Sequence, residues 1–288
     1  MKIMLKFKYL IFIFSIATFS SCSLLDSDKP VPFFLDLKDP TVRTPDNTGF
    51  DTHKITDVWV FADGQILGVF PLPAKVPVSV NNSDSEITIL AGIRNNGMND
   101  TPVFYPFYKS IVTKVSPEPN KTVSIPLNFQ YITNAKIPVN ESFETGNSFR
   151  LDFDSNPNSN IIVTNETSNL GLKSGWIALS NELKFMEIGC DVNINRGQNS
   201  RGQSYIEMDY KGEGEIAIGI AKSSFGLFRV EYVLFVPGKE NWNKIYIDVT
   251  DKLSPDDYDA YRLVLGFTRT GISQVSNIYV DNIKHIHF

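Results

Sequence analysis

Downstream of residue 22, no apolar repeat at helical spacing runs long enough to make a helix with a buried face. Short runs rich in Val, Ile, Tyr and Phe recur instead, punctuated by Gly, Asn, Asp and Pro. A chain patterned this way buries its apolar residues by stacking sheets. The expected fold class is therefore all-β, as two tandem β-sandwich domains, and 288 residues suit two domains. Apolar residues make up 42% of the chain, enough for packed cores and too many for a disordered polymer. The formal charge is 27 − 32 = −5, which argues against a nucleic-acid partner, because phosphate binding needs a concentrated positive face.

The amino terminus reads as an address. Lys2, Lys6 and Lys8 precede an apolar run from Tyr9 to Phe19, too short to span a bilayer and the right length for a signal-peptide core. Residues 22–54 hold Pro30, Pro32, Pro40 and Pro45 with little periodicity, and read as a tether. Cys190 lies in an apolar-rich run and reads as a buried, inert thiol.

The first block, residues 55–134, opens with a strand over Ile55–Phe61. Asp63-Gly64 then supplies a tight turn and Ile66–Phe70 returns. Lys75–Val80, Ile87–Ala91, Phe104–Val115 and Lys121–Tyr131 follow. The second block, residues 135–288, places strands at Gly175–Ser180, Lys184–Asn195, Gln203–Tyr210, Glu215–Ala221, Val230–Val236, Asn243–Thr250, Tyr261–Thr268 and Asn277–His287.

Three segments resemble known families. Phe19-Ser20-Ser21-Cys22 resembles the lipobox of bacterial lipoproteins, with Phe19 where the family usually has Leu. That resemblance implies a signal peptide over residues 1–21, acylation of Cys22, a lipidated tether over 22–54 and an outer-membrane location with the leaflet open. Asp26 and Asp28 resemble the acidic export signal of Bacteroidetes surface lipoproteins. Val58, Val60, Asp63, Gly64, Leu67, Gly68 and Pro73 form a pattern similar to transthyretin-like and PEGA-type sandwiches, which are usually non-catalytic. Asn140–Gly146, Trp242–Thr250 and Ile278–Ile283 resemble the jelly roll of galactose-binding-like and carbohydrate-binding modules. In many such jelly rolls a Glu on the first strand and an Asp on the last hold a structural calcium ion. Glu144 and Asp281 match those positions, and no other cofactor is implied.

Strand alternation supplies the candidate glycan face. It puts Tyr205 and Glu207 on one side of their strand, and Tyr246 and Asp248 on one side of theirs. With Arg262, these would line one polar face if the strands share a sheet; the alternative is an ordinary solvent face. Trp176 and Trp242 read as core or edge residues rather than platforms. The segment Glu207-Met208-Asp209-Tyr210-Lys211-Gly212 lacks the third carboxylate of the E-x-D-x-x-E pattern of jelly-roll glucanases, so no catalytic pair is assigned. His285 and His287 share a strand face as half of a metal site at most, or as a chance pair. No G-x-S-x-G, phosphate loop or dinucleotide fingerprint is present.

Phe104, Tyr105, Phe107 and Tyr108 follow a Gly/Asn-rich loop. They cannot all point inward from a regular strand, so either some are exposed for a partner or the chain kinks at Pro106. External partner and internal contact weigh equally. The reading is a non-catalytic, membrane-anchored binding or assembly subunit of an envelope complex, with a surface glycan-binding lipoprotein as the alternative and a glycoside hydrolase as a remote one.

Overall fold

The chain is described by a computed structural model covering residues 31–46, 48–79, 84–98, 100–116, 118–194, 202–253, 258–271 and 273–288. Cys22, Asp26, Asp28 and the signal segment lie outside these residues. Among the described residues no helix is long and apolar enough to cross a membrane.

The first half holds β1 (Phe33–Leu37), β2 (Thr41–Arg43), β3 (Asp57–Ala62), β4 (Gln65–Pro71) and β5 (Ala74–Val78). After these come β6 (Ser85–Arg94), β7 (Pro102–Phe104), β8 (Ile111–Val115), β9 (Thr122–Ser124) and β10 (Asn128–Gln130). One sheet runs β4-β3-β6-β7, with β8 also on β6. Facing it are a sheet in the order β5-β1-β9 and the pair β10-β2. Asp63 and Gly64 take φ of 50° and 77° in the β3–β4 turn, the conformation that an Asp-Gly hairpin is expected to adopt.

Residues 33–43 correct the expected tether. Phe33, Leu35 and Leu37 alternate inward and are fully buried, and β1 pairs with β5 and β9. The flanking prolines mask this in the sequence. They sit outside the ladder, where a missing N–H is harmless.

The second half holds β11 (Lys136–Glu141), β12 (Phe149–Asp152), β13 (Ile162–Thr164), β14 (Ser174–Leu179), β15 (Phe185–Ile194) and β16 (Ser204–Gly212). It continues with β17 (Glu215–Ser224), β18 (Leu227–Pro237), β19 (Asn243–Asp248), β20 (Ala260–Thr268) and β21 (Ser276–His287). One sheet runs β13-β14-β21-β16-β19, with β11 on β21; the other runs β12-β15-β20-β17-β18. Ile206, Met208, Ile218, Ile220, Leu263, Leu265 and Ile283 fill the space between them. Cys190 is fully buried there, and burial pushes its thiol pKa up, which keeps it protonated and unreactive.

The two sandwiches share an apolar contact. The core of the first includes Tyr205, Tyr246 and Ile286, all from the second. Burying a large side chain contributes about 1.5–3 kcal/mol, so this junction is a substantial part of the fold.

Candidate functional site

Alternation was read correctly, but exposure was not. Register pairs Tyr205 with Asp248, Glu207 with Tyr246 and Asp209 with Lys244, so all six share one sheet face. That face is turned toward the first sandwich. Tyr205, Glu207 and Tyr246 are at most 1% exposed, and Asp248 is half-buried. Arg262 lies on β20 in the opposite sheet and donates to the carbonyl of Asp191. The five residues therefore do not form an open platform.

The aromatic segment closes the junction from the other side. The chain turns at Tyr105–Tyr108, where the Tyr108 N–H donates to the Tyr105 carbonyl at 3.3 Å. This turn lets Tyr105, Phe107 and Tyr108 all point inward, while Phe104 stays 48% exposed beside Trp59. The Tyr105 ring lies 5.3 Å from Tyr205 and 4.9 Å from Tyr246, and Phe107 lies 4.8 Å from Phe288. Three of the four residues weighed as a partner surface thus make the internal contact.

A charged cluster sits inside this junction. The Glu207 carboxylate accepts from the hydroxyls of Tyr105 (2.7 Å) and Tyr131 (2.8 Å), and lies 3.1 Å from Lys244 Nζ. Lys244 also donates to Thr52 and faces Asp209 at 3.6 Å. Burial alone would raise the Glu207 pKa; Lys244, Lys284 and the two hydroxyls outweigh it and hold it below its ordinary value. Lys284 is pushed down to about 8 by burial, against the pull of Glu207. Glu207 and Asp209 are both fully buried inside the junction.

Glu144 and Asp281 both secure the loop ahead of β14. Glu144 Oε1 accepts from the N–H groups of Leu172 (2.7 Å) and Lys173 (2.9 Å), and Asp281 Oδ2 accepts from that of Asn169 (3.0 Å). Among the described residues no group of three His, Cys, Asp or Glu side chains is placed to hold a metal. His285 stacks on His287 at 5.3 Å, and its Nε2 is 2.8 Å from Ser204 Oγ. Burial, then His287, pushes the His285 pKa down to about 3, so the ring is neutral.

The free face of the β12-β15-β20-β17-β18 sheet has a different surface, which the sequence reading missed. Tyr232 lies against Gly219 and Gly266, where an added Cβ would come within 3.1 Å of the ring or its hydroxyl. Phe153 lies against Gly189 in the same way, at 2.3 Å. Glycines here let rings rest on the sheet itself. The Tyr232 hydroxyl donates to Glu187 at 2.6 Å, which fixes the ring. Phe235 (54% exposed) sits 5.2 Å from Tyr232, and Phe228 (41% exposed) sits 5.7 Å from Phe153. At Phe235 this face meets a cleft of about 710 Å³ between the sandwiches, lined also by Lys54, Asn96, Lys239 and Asn243.

No family model matches the chain, and no curated protein matches it. Solved structures similar to it include the CBM22-1 xylan-binding domain of Paenibacillus barcinonensis Xyn10C, at 14% identity and a TM-score of 0.37 over 53% of this chain and 94% of that one. The C-terminal family 22 carbohydrate-binding module of Clostridium thermocellum Xyn10B is similar at 12% identity and a TM-score of 0.38, over 52% and 91% of the two chains. TmCBM61, solved with β-1,4-galactotriose, is similar at 14% identity and a TM-score of 0.35, over 52% and 97%. At these values the likeness carries no argument about ligand, which has to come from the residues of this chain.

Proposed function

We propose that this protein is a non-catalytic glycan-binding protein, carried on a lipid anchor at Cys22 in the outer membrane. The observation that supports it is an aromatic face in which Tyr232 and Phe153 lie on glycines, Phe228 and Phe235 sit beside them, and Phe235 reaches the wall of the cleft. Sugar rings bind by stacking their C–H faces on exposed aromatic rings, with a few fixed polar groups setting orientation. Glu187 and Asn243 are such groups. The burial of Glu207 and Asp209 supports the non-catalytic part. Glycan arrays and affinity electrophoresis with Phe235→Ala and Tyr232→Ala test the reading. The expected result is glycan retardation that weakens roughly threefold to tenfold per ring lost, at unchanged fold. Silence of the wild type across a broad array discards it.

A separate feature favours the assembly-subunit reading. Phe225 stands at the tip of the β17–β18 hairpin, 99% exposed and at φ 51°, with Leu227 79% exposed beside it. A bulky residue in the left-handed region is costly and points to a use for that side chain. Pull-down from membranes with wild type and Phe225→Ser decides; recovery of the same partners by both rejects that reading.

A further inference from the structure

The cleft beside Phe235 is lined by four cations, Lys54, Arg94, Lys239 and Lys244, and by no carboxylate. Two of the four are already neutralised: Arg94 pairs with Asp57 at 2.9 Å, and Lys244 pairs with Glu207. Lys54 and Lys239 take part in no salt bridge among the described residues. Lys54 Nζ is held at the wall by Asn243 Oδ1 at 2.5 Å. Burial, and then the charge of Lys239, hold the Lys54 ammonium below its ordinary pKa. Two lysines that repel each other in a partly enclosed site are a configuration that an incoming anion would relieve. The chain as a whole carries −5, so this concentration of positive charge runs against the average of the surface.

We infer that the cleft selects acidic saccharides: a uronate carboxylate or a sulfate ester is taken between Lys54 and Lys239 while a sugar ring stacks on Phe235. The inference rests on the glycan-binding reading and adds the substrate class to it. Asn96 and Asn243 line the same walls and supply neutral polar groups for ring hydroxyls. Arg94 and Lys244 keep their own carboxylates, so the ligand's charge falls to the two unneutralised lysines.

The test is calorimetric titration of the full chain with polygalacturonate, carrageenan, neutral xylan, galacturonic acid monomer and inorganic sulfate. Wild type is compared with the double variant Lys54→Gln/Lys239→Gln and with Phe235→Ala, each first shown to keep its melting temperature. Acidic polymers are expected to bind better than xylan, with an affinity that falls as salt rises. In the double variant the acidic-to-neutral affinity ratio is expected to drop roughly tenfold or more. Preference for polygalacturonate over carrageenan, which carries sulfate and no carboxylate, identifies the carboxylate, and the reverse identifies the sulfate. An unchanged ratio in the double variant overturns the inference while leaving glycan binding intact. Binding of monomer or sulfate as tight as that of the polymers reduces the cleft to a small-anion site and overturns the saccharide assignment. Failure of every glycan, neutral or acidic, brings down the underlying reading instead.

Discussion

The hydroxyl of Tyr131, in the first sandwich, lies 2.8 and 2.9 Å from the two carboxylate oxygens of Glu207, in the second. This bond crosses the junction beside the 3.1 Å Glu207–Lys244 ion pair, where all three residues are buried. Removing the charge while keeping the shape leaves Lys244 and Lys284 buried with less compensation. Glu207→Gln is expected to cost about 3–5 kcal/mol of unfolding free energy, measured by denaturant titration. Tyr131→Phe removes one hydroxyl and is expected to cost about 1–3 kcal/mol. A Glu207→Gln protein as stable as wild type would mean the charges contribute nothing to the junction.

Tyr246 is a second interface residue, 1% exposed and 3.2 Å from Tyr108 through their hydroxyls. Tyr246→Ala is expected to lose about 3–5 kcal/mol by leaving a cavity. Its effect on a bound glycan should track the loss of folded protein. If ligand binding is lost at full stability, the ring touches ligand after all and the interface assignment fails.

The second sandwich should fare badly alone. Expressed as residues 135–288, it would expose Tyr205, Tyr246 and Ile286, which otherwise complete the core of its neighbour. Aggregation or strong binding of a hydrophobic dye is the expected outcome, because clustered apolar side chains laid open to water drive association. A soluble, dye-silent fragment with the melting temperature of the whole chain would show the junction to be weak.

Two buried groups give opposite pH slopes. Burial, aided by Asp209 and Glu144, raises Asp281 to about 7. The folded state then holds the extra proton between roughly pH 4 and 7, so stability falls as pH rises through that window. Lys284 is lowered to about 8, so the unfolded state holds the extra proton from there to roughly pH 10, and stability rises with pH. His285, lowered to about 3, gives a rising slope up to roughly pH 6.5 and offsets Asp281 there, so each contribution is read as a difference in denaturation midpoint from wild type. Asp281→Asn should remove the falling contribution between roughly pH 4 and 7, and Lys284→Met the rising one above roughly pH 8; slopes unchanged by these substitutions reject the assignment. The same samples test calcium at Glu144 and Asp281. At pH 8, where Asp281 is ionised, an ion there would pair with it and raise the melting temperature, whereas identical curves with calcium and with chelator remove it.

Much of this architecture is legible in the chain itself. Alternation in Tyr205–Asp209 and Lys244–Asp248 gives the correct face for each side chain, because a strand has a period of two whatever it packs against. Asp63-Gly64 gives its hairpin, because few other pairs accept positive φ twice. What covers a face is not a local property. The polar face of β16 and β19 reads as solvent-facing until Tyr105, Phe107 and Tyr131, distant in sequence, fold onto it. The aromatic surface depends on geometry that the pattern hides. In Val230–Val236, Tyr232 and Phe235 sit three positions apart and would point to opposite faces of a regular strand. A bulge opposite the Ile218–Gly219 step adds Val233 to β18 and brings both rings to the same side. Sequence determined the strands, their faces and the turns, since these follow from side-chain chemistry and the steric limits of neighbouring residues. Tertiary structure alone decided which face was buried and which rings met, since both depend on one extra residue in a ladder and on contacts made far along the chain.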